Sequence, residues 1–131
     1  MEDNLQEARR YLENAKEILR EKARKDGDHY VDNKYVRLAG HAAYSGVLIA
    51  LDNLLGKKKG RKSVEWYQEN LRKVDRKALD TFNSVYSIVH LYMAYDGVKN
   101  VNVSKEGIRE AEALIDWIET PHSGSLNRLL Q

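Results

Sequence analysis

The sequence contains no cysteine, which excludes disulfides and thiolate metal sites outright and suits a reducing compartment. It has one proline, Pro121, so nothing in the first nine-tenths of the chain obstructs long helices. No apolar run approaches a membrane span. The longest strongly apolar stretch, Gly46 to Leu51, falls far short of the ~20 residues a span requires. The opening MEDNLQEARR is charged from its second residue and lacks the apolar core of a signal peptide. The expected location is therefore cytoplasmic, with no membrane partner. An excess of one charge is missing too. Lys+Arg number 22 against 20 Asp+Glu, a formal net charge of +2, so no global field draws in nucleic acid or an anionic surface. Any such partner must be met by a local patch.

Familiar chemical signatures are also absent. There is no Gly-x-Ser-x-Gly elbow, no phosphate loop and no His-Glu-x-x-His. Di-metal centres in helical bundles use a Glu-x-x-His pair on one helical face, and that pair occurs nowhere. Asp52, Asp80, Asp96, Glu112 and Asp116 are scattered rather than clustered. No residue is assigned a catalytic or metal-binding role, and no cofactor is expected.

What is present is helical periodicity almost throughout the 131 residues, a length that fits one domain. Leu5, Ala8, Leu12, Ala15, Leu19 and Ala23 make one face of a first helix. Asn4 and Glu7 resemble a capping box, and Gly27 is the expected stop. Asp28 to Asp32 then reads as a connection, with Asp32 capping a second helix. That helix carries two adjacent stripes, Val36, Ala39, Ala43, Val47, Ala50, Leu54 and Tyr44, Leu48, Leu51, Leu55, so it belongs at the centre of a bundle. Gly56 ends it.

Ser63 caps a third helix through Val64, Tyr67, Leu71 and Val74. Asp75 opens a fourth, running through Leu79, Phe82, Tyr86, Val89 and Met93 to Gly97. A single kinked helix from Ser63 is the alternative. Val98 to Val103 alternates like a strand but has no evident partner strand and reads as a loop. The last helix is expected from Ser104 to about Glu119, with Ile108, Ala111, Ile115 and Ile118 inward and Pro121 beyond its end. The fold expected is all-α, an antiparallel four- to five-helix bundle over residues 1–119 without a sheet, followed by a tail over 120–131.

Two clusters hold the candidate chemistry. His41 and Tyr44 on the second helix, and Tyr86 and His90 on the fourth, could line one polar pocket if those helices are antiparallel neighbours. Such a pocket suits a small molecule, a nucleotide or acid–base work. The plainer alternative is two partly buried histidines satisfied by tyrosine hydroxyls or carbonyls. The second cluster is the loop KKKGRK, where Lys57, Lys58, Lys59, Arg61 and Lys62 place five positive charges in six residues. It suits phosphate contact with RNA or DNA, or else is simply a solvated loop. Tyr35, Tyr44, Tyr86, Tyr92 and Tyr95 fall on the two central helices, an excess that suits a homodimer surface.

The order of segments ARRYLENAKEIL, KYVRLAGHAAYSGVLIALDNLL, RKSVEWYQENL, FNSVYSIVHLYMAYDG and EGIREAEALIDWI resembles an uncharacterised family of small bacterial all-helical proteins. More distantly it resembles the HEPN superfamily. That resemblance implies a helical bundle, frequently dimeric, that binds nucleotides or RNA, acts as an RNase, or serves in a toxin–antitoxin pair. HEPN RNases use an Arg followed a few residues later by His. Here Arg24 and His29 have the spacing but straddle the first loop, while Arg37 and His41 sit within one helix, a single turn apart. The reading is a non-enzymatic HEPN-like binding or partner module that engages RNA, a nucleotide or a protein. The alternatives are a divergent HEPN-type ribonuclease using His41 or His90, and a purely structural interaction protein.

Overall fold

The computed structural model describes residues 4–56 and 60–120, so Lys57, Lys58, Lys59 and the tail beyond Thr120 lie outside the described residues. The first apolar stripe forms α1 (Asn4–Glu17), which continues unbroken into a π-helical segment (Ile18–Ala23). Ala8, Leu12, Ala15, Leu19 and Ala23 are all buried along it. Asn4, expected to cap this helix, is already helical. The stop is not Gly27. The chain leaves the helix at Arg24, whose φ of 54° and ψ of 137° lie in a region that side-chain-bearing residues avoid.

A short β-sheet, which the sequence pattern excluded, follows. β1 (Lys25–Asp26) pairs antiparallel with β2 (His29–Tyr30), and Gly27 takes its positive φ in the turn between them. Two-residue strands carry no alternation to detect. The strand-like VKNVNV does have a partner. The Tyr30 N–H donates to the Lys99 carbonyl at 2.8 Å, and His29 bridges Asn100. The last helix, α5 (Val101–Glu119), then begins earlier than Ser104. Asn100 caps it, its side-chain oxygen accepting from the Asn102 and Val103 N–H groups at 2.8 and 3.3 Å. Ser104 is fully buried one turn inside.

The remaining boundaries follow the sequence. Asp32 caps α2 (Asn33–Leu55), accepting from the Lys34 N–H at 3.0 Å. Ser63 caps α3 (Val64–Val74), accepting from the Trp66 N–H at 3.1 Å. Asp75, at φ −163° and ψ 122°, is extended, so α3 and α4 (Arg76–Val85) are separate helices rather than one bent rod. α4 runs on into a second π-helical segment (Tyr86–Tyr95), which ends at Gly97.

The result is an all-α bundle of five helices among the described residues, carrying one small hairpin. α2 sits at the centre against α1, both π segments, α3 and α5. By length and composition alone α2 could cross a membrane, but ten of its residues are buried against these neighbours, and bundle packing accounts for its apolar character. Small residues set the closest approaches. A Cβ on Gly40 of α2 would lie 2.5 Å from the Ala94 backbone nitrogen in the second π segment. One on Gly107 of α5 would lie 2.8 Å from the Ile88 side chain.

These backbone features give two substitutions of opposite sign. Gly40→Ala forces a methyl group against main chain that cannot yield, and should cost about 1–3 kcal/mol. Arg24→Gly relieves the strained φ and should gain about 1 kcal/mol net of the added freedom of the unfolded chain. Urea unfolding midpoints at constant slope measure both, and a Gly40→Ala protein as stable as the parent would refute the close approach.

Candidate functional site

α1 and α5 run antiparallel, and charge zips their seam. Arg9 reaches Asp116 and Glu119, and two turns further along Lys16 donates to Glu112 at 2.9 Å. The Glu112 hydrogen bond is the chief reason the Lys16 ammonium is held above its ordinary pKa. Past this point the seam opens into a groove of about 630 Å³. Its floor is made by Leu19, Tyr30 and Ile108. Its walls carry Lys16 and Arg20 on one side, Lys105, Arg109 and Glu112 on the other, and Lys25 at the hairpin end.

The sign of the seam changes here. Among the described residues Arg109 pairs with Glu106, one turn back on its own helix, and with no carboxylate across the seam. Among the described residues the side chains of Arg20, Lys25 and Lys105 have no hydrogen-bond or ion-pair partner, and all three residues are exposed. Five cations and one carboxylate line the groove, on a chain whose formal net charge is only +2. Sequence reasoning missed this site because the five cations are drawn from distant positions on three elements. Nothing in their local spacing distinguishes them from solvated surface charges.

The histidine–tyrosine cluster is brought together in part. Tyr44 stacks on His90 with centroids 4.5 Å apart, Tyr86 lies 5.2 Å from His90, and Tyr44 and Tyr86 are 6.4 Å apart. His41 is exposed at the edge of this stack. Burial raises the Tyr44 phenol to about 12, with the Tyr86 phenol adding a smaller push. Burial also lowers the His90 pKa, aided by His41, and His90 Nδ1 is buried without a partner among the described residues. Tyr44 and His90 are stacked at 27°, while Tyr86 is tilted to both, by 58° and 31°, so the three rings pack against one another between the helices. Tyr92 and Tyr95 lie on the same π segment with their side chains exposed, Tyr95 at 75%.

The basic loop is divided by its contacts. Lys62 does not project into solvent. Its ammonium donates to Asp52 at 2.7 Å and to the Gly56 carbonyl at 3.2 Å, and it sits over the Trp66 and Tyr67 rings. The Tyr67 hydroxyl donates to the same Asp52 oxygen at 2.7 Å, and burial, then this bond, raise the Tyr67 pKa. Arg61 is exposed and bonded elsewhere, and Lys57, Lys58 and Lys59 lie outside the described residues. Asp52, Lys62 and Tyr67 also border a second hollow of about 570 Å³ beside Asn4 and Glu7, at the opposite end of α1 from the cationic groove.

Fold and groove together define a helical-bundle protein with a polar seam that turns cationic at one end. The family model described as Domain of unknown function (DUF5618) matches residues 3–120, and the chain belongs to that family. A solved structure described as a protein of unknown function from Dyadobacter fermentans is similar at 57% identity and a TM-score of 0.85. The match covers 88% of this chain and 94% of that one. No curated protein matches the chain.

The His90 environment carries a pH consequence. Its folded pKa lies below the ordinary 6.5, so between the two values the unfolded chain binds more protons than the folded one. The contribution of His90 to stability is therefore present above 6.5 and lost as pH falls through the folded pKa. An NMR titration should place the imidazole midpoint below 6.5, and His90→Phe should flatten the acid limb of the stability profile. A midpoint at or above the ordinary value would contradict the packing described.

Proposed function

We propose that this protein is a non-enzymatic helical binding module of HEPN-like form, whose ligand is anionic and phosphate-bearing, RNA or a nucleotide. The observation that carries this reading is the convergence of Arg20, Lys25 and Lys105, all without carboxylate partners among the described residues, on an apolar-floored groove. Lysine and arginine side chains left together at one place repel one another, and an arriving anion removes that repulsion. Arginine supplies a planar fork suited to phosphate oxygens, and lysine a point charge. The helix order and the central apolar second helix support the HEPN-like comparison. Among the described residues five cations and no imidazole line the groove, and His29 on the adjoining hairpin is paired with Asp28, which favours holding a ligand over cleaving it.

Binding of a labelled oligoribonucleotide and of a nucleotide, measured at low and at physiological salt, tests the reading. Affinity should fall with added salt as counterions compete. The Arg20→Glu, Lys25→Glu, Lys105→Glu triple variant should lose binding by at least about a hundredfold, since charge-assisted contacts each contribute roughly tenfold. Any RNA that binds should be recovered intact. Undiminished binding by the triple variant would remove the groove from the account.

A further inference from the structure

We propose that the groove takes one compact ligand, an apolar body joined to a chain of at least two phosphates, and that it does not carry a nucleic-acid strand. This deepens the binding reading above and rests on it. The first argument is closure. At one end the Lys16–Glu112 ion pair bridges the two helices. At the other the hairpin shuts the groove, and it is itself tied to the start of α5 by the Val101 N–H donating to the Asp28 carbonyl at 2.8 Å. Between Lys105 and Glu112 the helix rises only about 10 Å. That length is below what ~4 stacked nucleotides need, the low end for strand-binding sites.

The second argument is what the floor lacks. Strand binders offer exposed aromatic rings on which successive bases stack. Among the described residues Tyr30 is the one aromatic lining this groove and is 4% exposed, so it offers no open face for stacking. The third is the absence of a track. Toward the KKKGRK loop the α1–α5 seam passes Glu13, Asp116 and Glu119, carboxylates already engaged by Lys16 and Arg9. A phosphate backbone would meet that sign unfavourably.

What the groove does offer is specific. Its roughly 630 Å³ lies within the range of small-molecule sites, and Leu19, Tyr30 and Ile108 give it an apolar bed. Lys105 and Arg109 stand one turn apart on one wall, about 6 Å by helical rise, and Arg20 stands on the other. Two linked phosphates would be gripped from both walls while the body of the ligand covers the floor. A bare phosphate chain would leave that floor uncovered. A nucleoside diphosphate and an isoprenyl diphosphate share this chemistry.

Calorimetric titration of the full chain decides the matter. The probes are inorganic pyrophosphate, a nucleoside diphosphate, an isoprenyl diphosphate and oligouridylates of increasing length. At least one body-bearing diphosphate should bind tenfold or more tighter than pyrophosphate, and which one does identifies the body. Arg20→Gln and Lys105→Gln should each weaken it about tenfold, and neither substitution removes a side-chain hydrogen bond or ion pair among the described residues. The triple variant Lys57→Gln, Lys58→Gln, Lys59→Gln should bind it unchanged. Pyrophosphate binding as tightly as both diphosphates would overturn the proposal. So would oligouridylate affinity that climbs with length and depends on Arg20 and Lys105, although the broader binding reading would then stand. If no probe binds, or binding ignores Arg20 and Lys105, both readings fail together.

Discussion

Where Gly40 meets the backbone of Ala94, α2 and the second π segment come closer than side chains would permit, and the rest of the bundle is stacked from that contact outward. With the π segment seated on α2, Ile88, Val89 and Met93 present their side chains to Gly107, which lets α5 lie close in turn. α5 then completes the bundle by closing against α1. The position of the charges that α5 brings to the seam therefore depends on two glycines that carry no charge at all, while α1 is seated on α2 through a third, Gly46, against the Ala8 carbonyl. Close-packed interiors transmit such constraints because neighbouring atoms have little room to yield. A shift of α5 by a fraction of its diameter would unpair Lys16 from Glu112 and change the width of the groove beyond them.

The seam itself divides two kinds of electrostatics. From Arg9 to Lys16 each cation finds a carboxylate on the facing helix, and these partly exposed pairs fix register more than they add stability. Beyond Lys16 the facing residues are Lys105 and Arg109, and the pairing stops. A chain with 20 acidic residues does not lack carboxylates to place there. The groove is cationic by arrangement, and because its lining outweighs the net charge of the chain, the remaining surface is net acidic. The resulting asymmetry orients an approaching anion toward one end of the molecule.

Much of the fold was legible because helices announce themselves by period and by cap. The buried sets of α1, α2 and α5 fall on the stripes read from apolar spacing. Asp32, Ser63 and Asp75 cap where a short acceptor side chain precedes an apolar run. The misreadings share a cause. The hairpin is held by backbone hydrogen bonds to residues about seventy positions away, and no local pattern encodes a partner at that distance. Asn100 was hidden as a cap because Val101 and Val103 on either side of Asn102 imitate a strand. The aromatic stack of Tyr44, Tyr86 and His90 could be anticipated from helix order. The groove could not, since its cations converge only once α1, the hairpin and α5 are assembled. Contiguous charge in the KKKGRK loop drew attention for the opposite reason, yet Lys62 is spent on Asp52 and two rings.

The departures from local rules fall at two places, the π segment of Tyr86–Tyr95, where His90 Nδ1 is buried without a partner among the described residues, and the far end of α1. Helix caps, apolar stripes and ion pairs agree with one another over most of the bundle, as consistent folding requires. At the far end of α1 they stop agreeing within a few residues. The helix widens to a π turn at Ile18–Ala23, Arg24 is held at a backbone geometry suited to glycine, and Arg20 and Lys25 stand on either side of it without partners among the described residues. The strained backbone costs stability, and π turns and strained backbone are both found preferentially where proteins bind or react. The Val31 N–H bonds to the Ala23 and Arg24 carbonyls at 3.1 and 2.8 Å, so the strained turn is held in place from across the hairpin. That turn carries the chain from Arg20 on the helix to Lys25 on the strand and sets both at the groove. The same few residues therefore hold the strained turn and shape the cationic end, which is why the binding proposed above is placed there.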